Sequence, residues 1–176
     1  MKAAYAPLGE SGDDLAHAMY TDSHVAAPAR WIAERTAGGK PTYLYQFSYV
    51  RVTDRAKTRG ASHGAELPYV FDSWSKFAPT LTLTDEERSV TRTIHSCWVS
   101  FAKTGKPHCE GAPEWPRFSS GDDRLMDFDI SAKVKQHVRK AQLDAQIAAM
   151  HDTIAAQKRS LSELANTLEK MLPGAL

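Results

Sequence analysis

The feature that most constrains the fold is an aromatic segment at residues 42–52 (TYLYQFSYVRV). Aromatic and β-branched residues dominate it, and that composition is typical of a strand. Successive side chains of a strand point to opposite faces, and here both faces are largely apolar. The two sets are Tyr43, Tyr45, Phe47 and Tyr49 on one face and Leu44, Val50 and Val52 on the other. Because a strand that is apolar on both faces is normally covered on both, the segment predicts an α/β sheet rather than an exposed hairpin.

Helices and loops are predicted on both sides of this strand. Residues 13–37 predict a helix that a double glycine ends. A second helix is predicted over residues 84–105, because it opens with the capping-box sequence TDEE and closes on glycine. The proline-rich residues 106–121 predict a loop, and residues 124–130 predict a short strand.

The carboxyl-terminal region has a different character. Residues 132–172 predict one long helix that ends at Pro173-Gly174. Steps of four and three alternate along it for about four heptads, which is the pattern of a coiled coil. The seam consists of Leu143, Ile147, Met150, Ile154, Gln157, Leu161, Leu164, Leu168 and Met171. Two outcomes stay open: the helix folds back on the body, or it forms a homo-oligomer through residues 143–172, with Gln157 setting the register.

Charge and hydropathy exclude several classes of partner. Lys and Arg total 22 against 21 Asp and Glu, so no excess charge predicts nucleic acid as a partner. No window approaches the roughly 20 apolar residues of a membrane span, so we expect no membrane partner. The amino terminus lacks the apolar run of a secretory signal, which favours a cytoplasmic location. If the chain is a piece of a longer protein, a signal could lie in the missing part.

Neither the cysteines nor the histidines predict a metal centre. Cys97 and Cys109 are too few for a disulfide framework and lack the paired spacing of a zinc knuckle, and we expect two free thiols, with one disulfide as the less favoured alternative. Five of the histidines form no pair at helical spacing with a nearby carboxylate, which a metal site would need. They are His17, His24, His108, His137 and His151. We therefore expect no metal and no cofactor.

A set of motifs carries a family resemblance. The central one is residues 60–71 (GASHGAELPYVF), which follow HVAAPARWIAERTAGGKPTYLYQFSYV at 24–50. TDEE, then WVSFAKTGKP at 98–107 and PEWPRF at 113–118 come after it. In this order the motifs resemble the helix, aromatic strand, histidine loop, late helix and Trp-Pro loop of type B carboxylesterases, which include para-nitrobenzyl esterases and cholinesterases. The resemblance covers roughly residues 5–135.

The resemblance implies a fold and a function. Residues 1–135 would be the C-terminal portion of an α/β-hydrolase domain, and residues 136–176 a long helix with coiled-coil heptads. The intact relative would hydrolyse small carboxylic esters with a Ser-His-acid triad, in which His63 is the general base. In this fold the triad order is serine, acid, histidine. Since only 62 residues precede His63, we expect a chain that lacks nucleophile and acid and is inactive alone.

A less favoured alternative places the nucleophile at Ser62. Residues 60–64 (GASHG) fit G-x-S-x-G, but that motif requires a strand running straight into the turn and a helix straight out of it. Here a polar stretch separates Val52 from Gly60. The base would then be another histidine: His95, His108 or His137.

We expect structural rather than catalytic roles for Glu66 and His95. Glu66 matches an acidic position of the family's loop, and we expect it to bond loop or helix amides rather than orient the imidazole. His95 is expected to be a packed or surface side chain. A competing hypothesis for the whole chain is a non-enzymatic coiled-coil interaction protein that retains a degenerate hydrolase remnant.

Overall fold

A computed structural model describes residues 1–9 and 11–171. The chain divides into two units, one over residues 33–138 and one that combines residues 1–32 with the chain from residue 139 onward. The domain boundary predicted after residue 135 stays a prediction.

The sheet of the first unit has three strands within the described residues. They are β1 (Tyr45–Phe47), β2 (Arg124–Phe128) and β3 (Lys133–Gln136), in the order β1-β2-β3. β1 runs parallel to β2, with Tyr45 opposite Met126. β3 runs antiparallel to β2 and was not predicted from the sequence.

β1 is shorter than the predicted strand at residues 42–52. The Ser48 and Tyr49 amides both donate to the Phe128 carbonyl, at 2.8 and 3.0 Å. Two successive amides that converge on one carbonyl disrupt the regular alternation of ladder bonds, and β1 ends at Phe47. The chain then leaves the sheet through turns that begin at Arg51.

The long helix of this unit confirms the prediction from the TDEE sequence. It is α6 (Asp85–Thr104), and the Thr84 hydroxyl accepts from the Glu87 amide at 3.2 Å. In return the Glu87 carboxylate accepts from the Thr84 amide at 2.8 Å, which completes the capping box. Gly105 ends the helix at a φ of 73°, a conformation that favours glycine.

The hydrophobic core of this unit lies between α6, the sheet and α4 (Leu67–Phe71). A second short helix, α5 (Trp74–Phe77), follows α4, and neither was predicted. The buried core residues are Tyr49, Tyr69, Val70, Val90, Ile94, Cys97, Cys109, Trp115, Met126 and Phe128. Many of the aromatic pairs meet edge to face, as between Tyr69 and Trp74 with ring centroids 4.7 Å apart.

A disulfide links α6 to the following loop. Cys97 and Cys109 are bonded and both are buried, so the expectation of two free thiols was wrong. The loop runs back along α6 and brings the two Cα atoms to 4.3 Å, a proximity that the sequence spacing does not show.

Hydroxyl groups of α6 hold the same loop. The Ser96 hydroxyl accepts from the Glu110 amide at 2.8 Å, and the Ser100 hydroxyl accepts from the His108 amide at 2.7 Å. Ser96 and Ser100 stand one helical turn apart, so they face the loop together. The predicted loop at residues 106–121 is confirmed, and it is fixed along its first half.

The second unit is helical within the described residues. Its elements are α1 (Lys2–Tyr5), a 3₁₀ turn (Ala6–Leu8), α2 (Gly12–Thr21), a π-helical turn (Asp22–Ala26), the start of α3 (Ala27–Ala37) and α7 (Lys140–Met171). The helix predicted over residues 13–37 is therefore formed, with a π-helical turn in its middle. It ends before the double glycine, as predicted.

A buried polar network joins the start of α7 to the amino-terminal helices. The Asp22 carboxylate accepts from the Tyr5 hydroxyl at 2.8 Å and from the Arg139 guanidinium at 2.8 Å. The Gln146 amide donates to the Tyr5 hydroxyl at 2.9 Å. Each polar group is thus paired, which a buried network needs to be stabilising.

α7 begins later than predicted, because residues 133–136 pair as β3 instead of continuing a helix. Its 32 residues span about 48 Å at 1.5 Å per residue. All residues from His151 to Met171 are exposed. The end predicted at Pro173-Gly174 lies outside the described residues. No helix in the described ranges is both long enough and apolar enough to cross a membrane.

We expect the disulfide to be a strong stabiliser of the 33–138 unit. Replacing both Cys97 and Cys109 by alanine should lower the free energy of unfolding by about 2–4 kcal/mol, because the bond restricts the unfolded chain. Urea unfolding with and without a reductant measures this. Wild-type protein should lose the same amount on reduction, while the double variant should not respond to reductant. Equal stability of the two proteins without reductant would contradict the expectation.

Candidate functional site

His63 lies exposed on a tight turn in the loop between β1 and α4. The Ser62 carbonyl accepts from the Ala65 amide at 3.1 Å, and the Gly64 carbonyl accepts from the Leu67 amide at 3.2 Å. Gly64 has a φ of 80°, which an L side chain rarely adopts. The turn therefore presents the imidazole to the outside and depends on glycine at the next position.

The His63 ring forms no hydrogen bond or ion pair to any residue in 1–9 or 11–171. The ring nitrogens are thus available to groups beyond these residues. Ser62 is also exposed and lies in irregular backbone, where no strand runs directly into the turn. The assignments of His63 as base and Ser62 as alternative nucleophile both stay predictions.

The downstream side of the turn is anchored by α4. Tyr69 is buried and its ring meets Phe47 and Trp74 at centroid distances of 5.3 and 4.7 Å. His95 of α6 places its Nδ1 2.8 Å from the Val70 carbonyl, so this nitrogen carries the proton and donates. His95 is a half-buried side chain that holds α4 in place.

Glu66 forms a different bond from the one expected. Its carboxylate accepts from the Tyr45 hydroxyl at 3.4 Å, and only its backbone carbonyl accepts from helix amides. Burial, the nearby Glu66 charge and this hydrogen bond raise the pKa of Tyr45 to about 12. Tyr45 therefore remains protonated at neutral pH and can donate to Glu66.

The upstream side of the turn is anchored by two arginines. Arg51 donates to Glu87 at 2.5 Å, and Arg55 pairs with Glu86, which also accepts from the Tyr49 hydroxyl at 2.8 Å. Neither arginine was predicted to have a role at this turn. A signal for them existed, since two basic residues four apart complement the two adjacent glutamates of the capping box.

The pKa of Glu87 lies below its usual range. Burial opposes the charged form, but the Thr84 amide and the Arg51 guanidinium stabilise it by more than burial costs. Glu87 thus caps α6 and holds the chain that leads from β1 to His63.

The groove along α6 does not include the His63 turn. A groove of about 360 Å³ runs along α6 and is lined by Arg92, Thr93, Glu110 and Asp129 among others, but not by His63. Within the part of the chain that the structure describes, no group of three or more His, Cys, Asp or Glu could hold a metal ion.

The sequence of this chain is similar to those of known hydrolases. The model of the carboxylesterase family matches residues 8–146. Cocaine esterase of Homo sapiens is 32% identical over 127 residues, which are 67% of this chain and 22% of that enzyme. Acylcarnitine hydrolase of Mus musculus is 30% identical over 129 residues, which are 71% of this chain and 22% of that enzyme. The chain thus spans about a fifth of these relatives.

Solved structures of esterases are also similar in fold to this chain. A PNB esterase superposes with a TM-score of 0.66 and 25% identity over 80% of this chain and 29% of its own. A thermophilic PNB esterase superposes with a TM-score of 0.65 and 26% identity over 80% of this chain and 30% of its own.

Acidification should remove the contribution of Glu87 to stability. A native pKa below the ordinary value of 4.5 means that the ionised carboxylate stabilises the fold at pH values above 4.5. That contribution is lost as the pH falls through the native pKa. Glu87→Gln should therefore lower the free energy of unfolding by about 1–3 kcal/mol at neutral pH and by much less at an acid pH that protonates the native carboxylate. Urea unfolding at both pH values measures this.

The matched control is Glu163→Gln, on the exposed part of α7. It should leave stability unchanged at both pH values. A loss for Glu87→Gln that is as large in acid as at neutral pH would contradict the assigned role of the charge.

Proposed function

Because this chain belongs to the carboxylesterase family and shares the α/β-hydrolase fold of the PNB esterases, we propose that it supplies the histidine of an ester-hydrolysing Ser-His-acid site. The base is His63. The observation that carries the proposal is the geometry of its turn: the chain is anchored on both sides, while the exposed ring has no bonding partner within the described residues. Such a ring is held in place and is open to a serine and a carboxylate.

The chemistry requires those two partners. The histidine takes the proton of the attacking serine with one nitrogen and is oriented by a carboxylate through the other. Within residues 1–9 and 11–171, no carboxylate and no hydroxyl bonds to the His63 ring. The nucleophile, the acid and the oxyanion donors therefore belong to the rest of the esterase fold, and this chain is a C-terminal portion that is inactive alone.

The substrate of the completed site is a small carboxylic ester. The relatives include a cocaine esterase and an acylcarnitine hydrolase, and an esterase by definition hydrolyses an ester bond. Attack by a serine on an ester carbonyl, with proton transfer through His63, is the reaction that this family assignment supports.

The proposed compartment depends on the disulfide. The sequence favours the cytoplasm, and that location stays a prediction. The buried bond between Cys97 and Cys109 favours an oxidising compartment instead, since disulfides are rare in reducing ones.

A second candidate function is self-association through the distal part of α7. The family match ends at residue 146, and the seam residues beyond Met150 are exposed. Their exposed fractions range from 36% for Ile154 to 71% for Met171. An exposed apolar seam with heptad spacing is what a coiled-coil homo-oligomer would cover.

The proposed role of His63 is tested in a chimera in which this chain replaces the matching 29% of the PNB esterase. We expect the isolated chain to hydrolyse no p-nitrophenyl ester and the chimera to do so. His63→Ala should lower kcat of the chimera by about 10⁴-fold or more, because proton transfer through a triad histidine is lost.

Controls separate the alternatives for this site. Ser62→Ala in the chimera should leave kcat within about threefold of the parent, since Ser62 is not the nucleophile. Hydrolysis by the isolated chain that Ser62→Ala abolishes would establish the elbow at residues 60–64 instead. An active chimera that tolerates His63→Ala would sink the proposal.

The α7 seam is tested by mass in solution. Light scattering should show an oligomer for the wild-type chain and a monomer for the double variant Leu161→Lys, Leu168→Lys, because charges at two seam positions repel across a symmetric interface. Asn166→Lys lies on the opposite side of the helix and should leave the oligomer intact. A monomeric wild-type chain would remove this second function.

A further inference from the structure

The exposed seam of distal α7 carries one polar side chain among apolar ones. The polar member is Gln157, and the apolar members are Ile154, Leu161, Leu164, Leu168 and Met171. All six side chains are exposed. A polar residue at a single core position of a coiled coil lowers stability but specifies the register and the number of helices. Gln157 therefore carries information about the partner that this surface fits.

The upstream part of the same seam is already occupied. Leu143 is 7% exposed and belongs to the unit that α7 forms with the amino-terminal helices. Gln146 is also buried and donates to the Tyr5 hydroxyl at 2.9 Å. From His151 onward every described side chain of α7 is exposed. The surface that a partner can cover is therefore residues 154–171, about 27 Å of helix at 1.5 Å per residue.

The steps between the seam residues assign their heptad positions. In the repeat abcdefg, d follows a after three residues and the next a follows d after four. The a positions are Ile154, Leu161 and Leu168, and the d positions are Gln157, Leu164 and Met171. A β-branched residue thus occurs at a but not at d, and this distribution favours two helices over three or four.

The direction of pairing follows from the position of Gln157. In a parallel pair that is in register, each d residue faces its own counterpart, so the two Gln157 amides meet and each can donate to the other's oxygen. In an antiparallel pair, a d residue faces an a residue of the other helix. Because every a position of the distal seam is apolar, the amide would then be buried without a hydrogen bond, which is unfavourable.

The residues that flank the seam are compatible with parallel pairing. In a parallel pair each e position lies beside a g position of the other helix. The e positions hold Lys158 and Ala165, and the g positions hold Thr153, Ser160 and Thr167. Lys158 would therefore lie beside a threonine, and the two lysines of a dimer would lie on opposite edges. Parallel pairing thus brings no like charges together at these positions.

We propose that distal α7 pairs with the same segment of a second copy of this chain, as a parallel two-stranded coiled coil held in register by Gln157. The proposal rests on the second candidate function, self-association of this seam, and adds the number, direction and alignment of the helices. The partner is a second copy because an identical helix presents an amide at the same height of the seam and so satisfies Gln157. A two-fold axis along the helices closes the assembly at a dimer.

Pulsed EPR on the full chain measures the direction of pairing. One spin label is placed at Asp152→Cys or at Asn166→Cys, two exposed f positions two heptads apart and outside the seam. The native cysteines are bonded to each other and take no label. Parallel helices should give similar distances between the copies at both sites. Antiparallel helices cannot, because their two separations along the axis add up to at least about 42 Å.

A pair of variants tests the role of Gln157. Gln157→Leu should lower the dissociation constant of the dimer by about tenfold or more, because a buried amide is replaced by an apolar side chain. It should also add a second set of EPR distances, since antiparallel pairing no longer buries an unpaired amide. Asn166→Leu is the matched control on the opposite side of the helix. It should leave the dissociation constant and the distance from a label at residue 152 unchanged.

The outcomes separate this pairing from self-association in general. A dimeric mass in light scattering with similar distances at both labels supports the pairing, whereas a monomeric mass overturns both it and the self-association. A dimer with one short and one long distance, or a trimeric or tetrameric mass, overturns the pairing and leaves self-association standing. Gln157→Leu with an unchanged dissociation constant and a single distance overturns the register through Gln157, and with it the proposal.

Discussion

The packing of one face of α6 against β1, β2 and α4 is the interaction on which residues 33–138 depend. Val90, Ile94 and Cys97 of α6 are buried against the aromatic core, and full burial of a large apolar side chain stabilises by about 1.5–3 kcal/mol. The same helix holds the surrounding loops through its polar groups. Its glutamates hold the chain after β1, His95 holds α4, and Ser96, Ser100 and Cys97 hold the loop that follows.

This arrangement explains how an irregular segment can hold His63, the side chain proposed to be catalytic. The chain between β1 and α4 has no strand or helix of its own, so its position comes from its two anchored ends. Arg51 and Arg55 fix the start of the segment on α6, and Tyr69 fixes its end in the core. A reactive side chain must be held in position to within a fraction of an ångström. Here tertiary contacts at both ends of the segment hold it. His63 can therefore be both exposed and well placed.

Sequence reasoning succeeded where the determinants are local. The capping box and Gly105 defined α6, because each acts within one helical turn. Sequence reasoning failed where a hydrogen bond or a disulfide joins residues that are far apart in the chain or brought together only by the fold. The apolar pattern of β1 continues to Val52, but the strand stops where two amides share the Phe128 carbonyl. The disulfide was missed because only the return of the loop along α6 brings Cys109 to Cys97. The assignment of His63 rests on motif order and stays a prediction.

Two exposed surfaces, the open edge of β1 and the seam of distal α7, lie in different parts of the chain relative to the family match. The open edge of β1 lies within residues 8–146, which the family model matches. The seam of distal α7 lies beyond that match, where the described side chains are exposed. Large exposed apolar patches generally mark interaction sites. The seam is therefore the surface at which the proposed self-association would occur.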